Sequence, residues 1–280
     1  MKLAAGYIVF DGLETLEASI KSIRKSVDYV LVSYQRISWS GEKAPYNLIG
    51  SLELMKAKGL IDHIIEFTKF TPSHLTTHND VIMAKRFECM KRQTLLKLAI
   101  DLGATHYLSI DADEFYIKSE FDSAKQIIEK ESIDASAVHY INYVTPTLHQ
   151  GYSRFKVPFI YRITRGSCHN LNQFMFGGID PTRGILDESH FKPKVFEPSF
   201  ITMHHMEMVR KDLLSKYKST SRYFPGRGNL PLLVEDIENS KKSKVLDYRV
   251  LHFGDTEDGL KKTKHLIESP NLFNLEVNAQ

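Results

Sequence analysis

Along the first 110 or so residues, the spacing of apolar positions switches repeatedly between two periods. Ala4–Phe10 is an apolar run closed by Asp11-Gly12 and reads as a buried strand. Leu13, Leu16, Ile20, Ile23 and Val27 then recur at intervals of three and four, one face of a helix. Tyr29–Ser33 is a second β-rich run, and Leu48, Leu52 and Met55 mark a helix that stops at Gly59. Ile61–Phe67 predicts a third strand. Met83, Phe87, Met90, Thr94 and Leu98 predict a long helix over Asp80–Leu102, with Gly103 as its stop. His106–Ile110 is the fourth strand. This alternation predicts an α/β fold, a Rossmann-type mainly parallel sheet flanked by helices. Ligands of such open sheets sit beyond the carboxyl ends of the strands, and Asp11, Gln35 and Asp111 all follow strands there.

Beyond Asp122 the pattern loosens. Phe121, Ala124, Ile127 and Ile128 fit a short helix and Ser136–Val144 a strand, while Thr145–Ser199 has weak periodicity and reads as functional loops. Phe200–Met203 predicts a strand ending at His204-His205. Met206, Val209, Leu213 and Tyr217 predict a helix with Arg210, Lys211, Lys216 and Lys218 mostly off its apolar face. A basic loop follows at Arg222–Asn229, then a charged stretch, a short strand near Val250–Phe253 and a last helical piece around Leu260–Ile267. Residues 1–120 are the more regular half and 121–280 the less regular half of one compact domain.

Composition narrows the classes. The 280 residues are 42% hydrophobic and 25% charged, as in ordinary globular proteins, and the net charge of +3 is too balanced for non-specific nucleic-acid binding. Cys89 and Cys168 have no metal-ligand spacing and read as reduced thiols of a cytoplasmic protein. No apolar stretch is long enough to span a membrane, and the N-terminal run is a first strand rather than a signal peptide.

The candidate chemistry lies in HYLSIDADEFY (His106–Tyr116), where Asp111, Asp113 and Glu114 crowd together. If the strand continues through them, Asp111 and Asp113 share a face and converge on one point. Mg²⁺ or Mn²⁺ with a phosphate-bearing ligand is a natural occupant. The plain alternative is a helix cap or a solvated turn. A calcium loop lacks its spacing, and an aspartyl-phosphatase motif would follow the first strand rather than the fourth.

The β-α-β-α-β-α-β order ending in I-D-A-D-E-F resembles the nucleotide-sugar half of a GT-A-fold glycosyltransferase, in the D-x-D-E-F form of some family-2-like enzymes. Met203–Tyr217 (MHHMEMVRKDLLSKY) is similar to the histidine-then-helix segment of several of them. The resemblance implies that residues 1–120 bind a nucleoside-diphosphate sugar and residues 121–280 the acceptor, a glycan or similar hydroxyl compound. It implies that Asp113 binds Mn²⁺ or Mg²⁺, that Asp111 reaches ribose or metal through water, and that Ala112 lies between them at the donor. His204 or His205 is the further ligand, and only one of two adjacent strand residues can face the metal. Phe10, Asp11, Gln35 and Arg36 would contact base and ribose, with Arg92, Arg86 and Lys91 as competing contacts for ribose or diphosphate.

The family-2 likeness implies inversion, which needs a general base. Asp187 ranks first, then Asp180 and Glu188. Tyr140, Tyr143, Tyr152, Tyr161, Phe174 and Phe176 are candidates for stacking on sugar, with core packing the commoner role. Arg222 and Arg227, around Pro225-Gly226, are candidates for a lid over phosphate. The absence of Q-x-x-R-W favours transfer of a single sugar. The rival readings are a nucleotidyltransferase, which calls for a glycine-rich basic loop after the first strand, and a catalytically silent nucleotide- or sugar-binding module.

Overall fold

The computed structural model describes residues 1–70, 78–171, 176, 180–219, 230–243, 245–249, 261–265 and 267–269. Its first part is β1 (Leu3–Val9), α1 (Leu13–Arg24), β2 (Tyr29–Tyr34), α2 (Leu48–Ala57), β3 (His63–Glu66), α3 (His78–Asp101) and β4 (His106–Asp111). The predicted alternation is therefore present element for element. These strands lie in the order β3-β2-β1-β4, all parallel. On one face, α1 contributes Leu16, Ile20 and Ile23 to a core with Leu3, Tyr7, Val30 and Leu108. On the other, α3 packs Leu95, Leu96 and Ala99 against Ala4, Leu31 and Tyr107. Gly6 makes one of these contacts possible, since a Cβ there would lie 1.9 Å from the Tyr107 hydroxyl.

The chain continues through β5 (Glu114–Phe115), α4 (Lys118–Lys130), β6 (Ala135–Thr145), β7 (Leu148–Arg162), β8 (Cys168–His169), β9 (Ile185–Leu186), β10 (Pro193–Val195) and β11 (Thr202–His205). Then come α5 (Leu213–Ser219), α6 (Leu230–Ser243), β12 (Val245–Arg249), β13 (Lys261–His265) and β14 (Ile267–Glu268). The main sheet extends from β4 through β7-β6-β11-β5, with β10 on β6 and β14 on β7. It becomes mixed at β7, which runs antiparallel to both β4 and β6. No described helix is long and apolar enough to cross a membrane.

Several expectations for the second half need correction. Thr145–Ser199 contains β7, a 15-residue strand. Its Gly151 and Pro158 hide it from a periodicity reading, yet Pro158 pairs with Ala137 beside a register shift, a place where sheets tolerate proline. The helix expected from Met206 begins only at Leu213, and the charged stretch contains α6, whose Val234 and Ile237 pack with Val144, Met208 and Leu213. The last helical piece is instead β13 and β14. The strand expected near Val250–Phe253 and the loop Arg222–Asn229, with Arg222 and Arg227, lie outside the described residues.

An aromatic seam locks β7 to α4. Phe159, fully buried, has ring centroids 5.2 Å from both Tyr116 and Phe121 and 6.4 Å from Phe196. Phe159→Ala is expected to cost about 3–5 kcal/mol through lost burial and the cavity left behind. Urea unfolding should show this as a lower midpoint at unchanged slope.

Candidate functional site

Because β1, β2 and β4 are parallel, their carboxyl ends open onto one crevice. Phe10 and Asp11 leave β1 half-buried, and Gly12 turns the chain into α1 at φ +79°. A side chain at Gly12 would be strained in that conformation, and its Cβ would lie 2.1 Å from Arg210 Nη1. Glycine is thus needed both for the turn and for a guanidinium from 198 positions along the chain, by the numbering of Gly12 and Arg210. An open cleft of about 560 Å³ lies here, bounded by Gly12–Glu14, by Asn47 at the start of α2 and Ser51 and Leu54 within it, and by Arg210–Asp212 and Lys216.

The crevice floor comes from α3. Lys91, almost fully buried, donates to Val9 O (2.8 Å) and Gln35 Oε1 (3.1 Å). Gln35 in turn donates to Ile37 O (2.9 Å), so its amide is engaged at both ends. Burial pushes the Lys91 ammonium down to about 7. Arg92, completely buried, donates to Ser109 Oγ (2.7 Å), Glu88 (3.0 Å) and Asp111 Oδ1 (3.0 Å).

The acidic triplet is not one continuous strand. β4 ends at Asp111, Ala112 and Asp113 form a turn, and Glu114 opens β5. Asp111 and Asp113 therefore take different partners and do not converge as a continued strand would require. Asp111 is gripped by Arg92 on Oδ1 and by Arg183 on Oδ2 (2.5 Å). Arg183 also bridges Glu114 at 2.6 and 2.7 Å and reaches Asp180 at 3.4 Å. Glu114 closes the turn by accepting the Asp111 amide (3.0 Å). Asp113 Oδ2 accepts from Arg210 and Lys216, each at 2.6 Å, while Oδ1 faces His205 Nε2 at 3.6 Å.

Burial alone would raise the pKa of both aspartates. Arg183 and Arg92 hold Asp111 below its usual value, and Lys216, Arg210 and His205 hold Asp113 well below. Removing one partner of such a buried pair leaves an uncompensated charge, at a cost of about 3–5 kcal/mol.

The two histidines point apart, as neighbours on a strand must. In the β5–β11 ladder, His204 stands opposite Phe115 and His205 opposite Glu114. His204 bonds through Nδ1 to the Tyr143 hydroxyl (3.0 Å) in an apolar setting, and burial pushes its pKa down to about 4. His205 turns to Asp113 and is steadied by Asn142 Oδ1 (2.8 Å) and the edge of the Tyr140 ring.

Of the general-base candidates, the structure brings only Asp180 to the crevice, beside Arg183 and bonded to Thr182. Asp187 accepts hydroxyl bonds from Thr164, Ser167 and Ser189. Thr164 lies just past the end of β7, which meets the start of β4, with Arg162 opposite His106. Asp187 is thus at the far edge of the sheet. Burial would raise its pKa, but the hydroxyls hold it low, which further weakens it as a base. Glu188, exposed, adjoins it.

Among the candidate stacking residues, Tyr143, Tyr161 and Phe176 are core, and nothing is described of the side chains of Tyr152 and Phe174. Arg183 escaped the sequence reading because it sits in aperiodic chain, and Arg210 and Lys216 because a basic helix face ordinarily meets solvent. For Arg210 and Lys216 the sequence signal is an excess of basic over acidic residues in Met206–Lys218, whereas Arg183 stands among Asp180, Asp187 and Glu188 and carries no such signal.

Lys91 yields a pH test. Between about pH 7 and the ordinary lysine value of 10.5, the unfolded chain holds a proton that the folded protein has released, so stability rises with pH across that window. Below it both states are protonated and the burial cost is fully present. Wild-type unfolding free energy should therefore climb from pH 7 toward 10 relative to Lys91→Met, and parallel curves would show that the buried amine keeps its charge.

No protein-family model matches the chain, and no curated protein matches it in sequence. Among solved structures, S. aureus TarS is similar at 13% identity and a TM-score of 0.37, over 58% of this chain and 28% of that one. TarS 1–349 in complex with UDP-GlcNAc gives a TM-score of 0.36 over 45% of its length. GalNAc-T7 with UDP, GalNAc and Mn²⁺ is similar at 11% identity and 0.41, over 74% of this chain and 44% of that one. CMP:2-keto-3-deoxy-manno-octonic acid synthetase complexed with CTP is similar at 9% identity and 0.33, over 58% and 72%. The chain thus spans less than half the length of the TarS and GalNAc-T7 structures it is similar to.

Proposed function

We propose that the crevice is the donor site of a glycosyltransferase that moves a single sugar from a nucleoside diphosphate to a hydroxyl of a glycan or similar acceptor. The observation that carries this reading is the Asp113–His205 pair, set at the carboxyl ends of the strands where such folds bind nucleotides. His205 Nδ1 is engaged by Asn142 Oδ1, which leaves Nε2 as the ring atom that faces Asp113 Oδ1 at 3.6 Å. A cation that displaced the Nε2 proton would find an imidazole nitrogen and a carboxylate oxygen facing each other across that gap. A carboxylate and an imidazole with a fixed second partner fit Mn²⁺ or Mg²⁺ completed by phosphate oxygens. Asp113 and His205 would hold the ion, which when bound supplies Lewis-acid stabilisation of the diphosphate leaving group. Asp111 fits worse as a direct ligand, because guanidinium groups engage both its oxygens.

The remaining residues divide by what they are free to do. Phe10 and Asp11, half-buried at the β1 exit, are the nucleoside contacts, while Gln35 and Lys91 brace the backbone beneath them. Asp111, held from both sides, orients the ribose. Asp180, its side chain about a quarter exposed, is the general base of an inverting transfer. Residues 1–120 supply the nucleoside side of the donor site and 121–280 the acceptor side, with His205 reaching back to the donor, in the cytoplasm. One observation favours a second reading, a nucleotide-binding module without turnover: Asp113 is already neutralised by Arg210 and Lys216.

Thermal unfolding against a panel of nucleoside diphosphates and nucleotide sugars, each with Mn²⁺ or chelator, tests both. One base should raise the melting temperature in a metal-dependent manner, and Asp113→Asn should erase that rise while keeping the fold. No rise for any ligand would reject donor binding, and a rise without sugar transfer would favour the silent module. Once the acceptor is known, Asp180→Asn should lower kcat by about 10²–10⁴-fold with little change in donor KM.

A further inference from the structure

Arg210 and Lys216 converge on one carboxylate oxygen from different structural contexts. Arg210 lies at the end of an irregular segment pinned to the acidic turn by the Met206 amide, which donates to Asp113 O (2.7 Å). Lys216 projects from α5. Arg210 also reaches Asp11 at 3.4 Å. Its Nε is buried with no partner among the described residues. Both cations line the 560 Å³ cleft, beside the N-terminus of the 12-residue helix α1, whose Gly12 leaves room for the guanidinium. An anion there would meet two side-chain cations and the positive end of a helix.

Charge balance gives this arrangement a direction. Asp11, Asp113 and Glu14, the last at 4.0 Å from Arg210, carry three negative charges, and Arg210 and Lys216 carry two positive ones. A dication on Asp113 would leave a surplus of positive charge in a mostly buried cluster. A diphosphate removes that surplus. The dication alone would have to force two cations off Asp113, and the diphosphate alone would have to pull them from it.

We propose that Arg210 and Lys216 are the diphosphate-binding residues of the donor site, resident on Asp113 until metal and diphosphate arrive together and then transferred to the phosphate oxygens. The inference rests on the donor-site reading above and adds the residues that take the leaving group, along with mutual dependence of the two ligands.

Calorimetric titration of the full chain with Mn²⁺ and inorganic pyrophosphate, corrected for the complex they form in solution, tests it without needing the base, sugar or acceptor. Each ligand should bind at least about tenfold tighter with the other present, and by the same factor in both orders. Lys216→Met should shift the two ligands in opposite senses. Mn²⁺ alone should bind several-fold tighter, because Asp113 has lost a competitor, and pyrophosphate with Mn²⁺ about tenfold weaker. Lys216→Arg should retain pyrophosphate binding, and thermal unfolding of both variants checks the fold. A merely structural lysine would move both affinities the same way or neither, and either result overturns the inference. Failure of the donor-site reading looks different: pyrophosphate would behave as described while no nucleoside diphosphate bound. A nucleoside diphosphate held equally well by wild type and Lys216→Met would sink this inference alone.

Discussion

The structure of the crevice depends on neutralising three carboxylates packed into the four residues 111–114. Asp113 and Glu114 are almost fully buried, and so are the Arg92, Arg183 and Arg210 side chains that meet the cluster. Charges taken out of water at that density are tolerable only when each is matched in geometry as well as sign. The matching groups come from α3, from the segment before β9 and from the approach to α5. One short turn therefore ties together parts of the chain from 19 positions before it, at Arg92, to 103 positions after it, at Lys216.

The sheet makes those reunions possible. Parallel β1, β2 and β4 deliver their carboxyl ends to one side, and the antiparallel turn at β7 lets β6 and β11 run the same way as β4. Asn142 near the end of β6 and His205 at the end of β11 then arrive beside Asp113. By the same logic β7 ends at the opposite edge, carrying Thr164 and its partner Asp187 away from the crevice. Whether a polar residue belongs to the site is decided by the direction of the strand that delivers it.

The buried cations have two kinds of work. Arg92 and Arg183 have multiple donors in a planar fork and grip carboxylates from fixed positions, which suits a rigid floor. Lys91 is held by a backbone carbonyl and an amide rather than a carboxylate, so its charge is the less secure, as its depressed pKa reflects. Arg210 and Lys216 line the open cleft, and they alone among these five stand where a ligand can compete for them.

The first half of the fold was legible because helix and strand periods are local properties of spacing, and seven elements from Leu3 to Asp111 follow them. The acidic turn was legible too, because clustered carboxylates at a strand end demand a counter-charge whatever the fold. What that counter-charge is could not be read, since it arrives through contacts spanning from 19 to 103 positions, at Arg92 and Lys216 respectively. β7 was hidden by a glycine and by a proline that sits beside a shift in the register of its pairing with β6. The sequence by itself determined that carboxylates, histidines and a parallel half-sheet would be present. Tertiary structure alone decided that His205 rather than His204 meets Asp113, that Asp180 rather than Asp187 reaches the crevice, and that two cations already wait on Asp113. Strand direction and long-range charge matching are properties of the assembled sheet, and neither leaves a trace in local spacing.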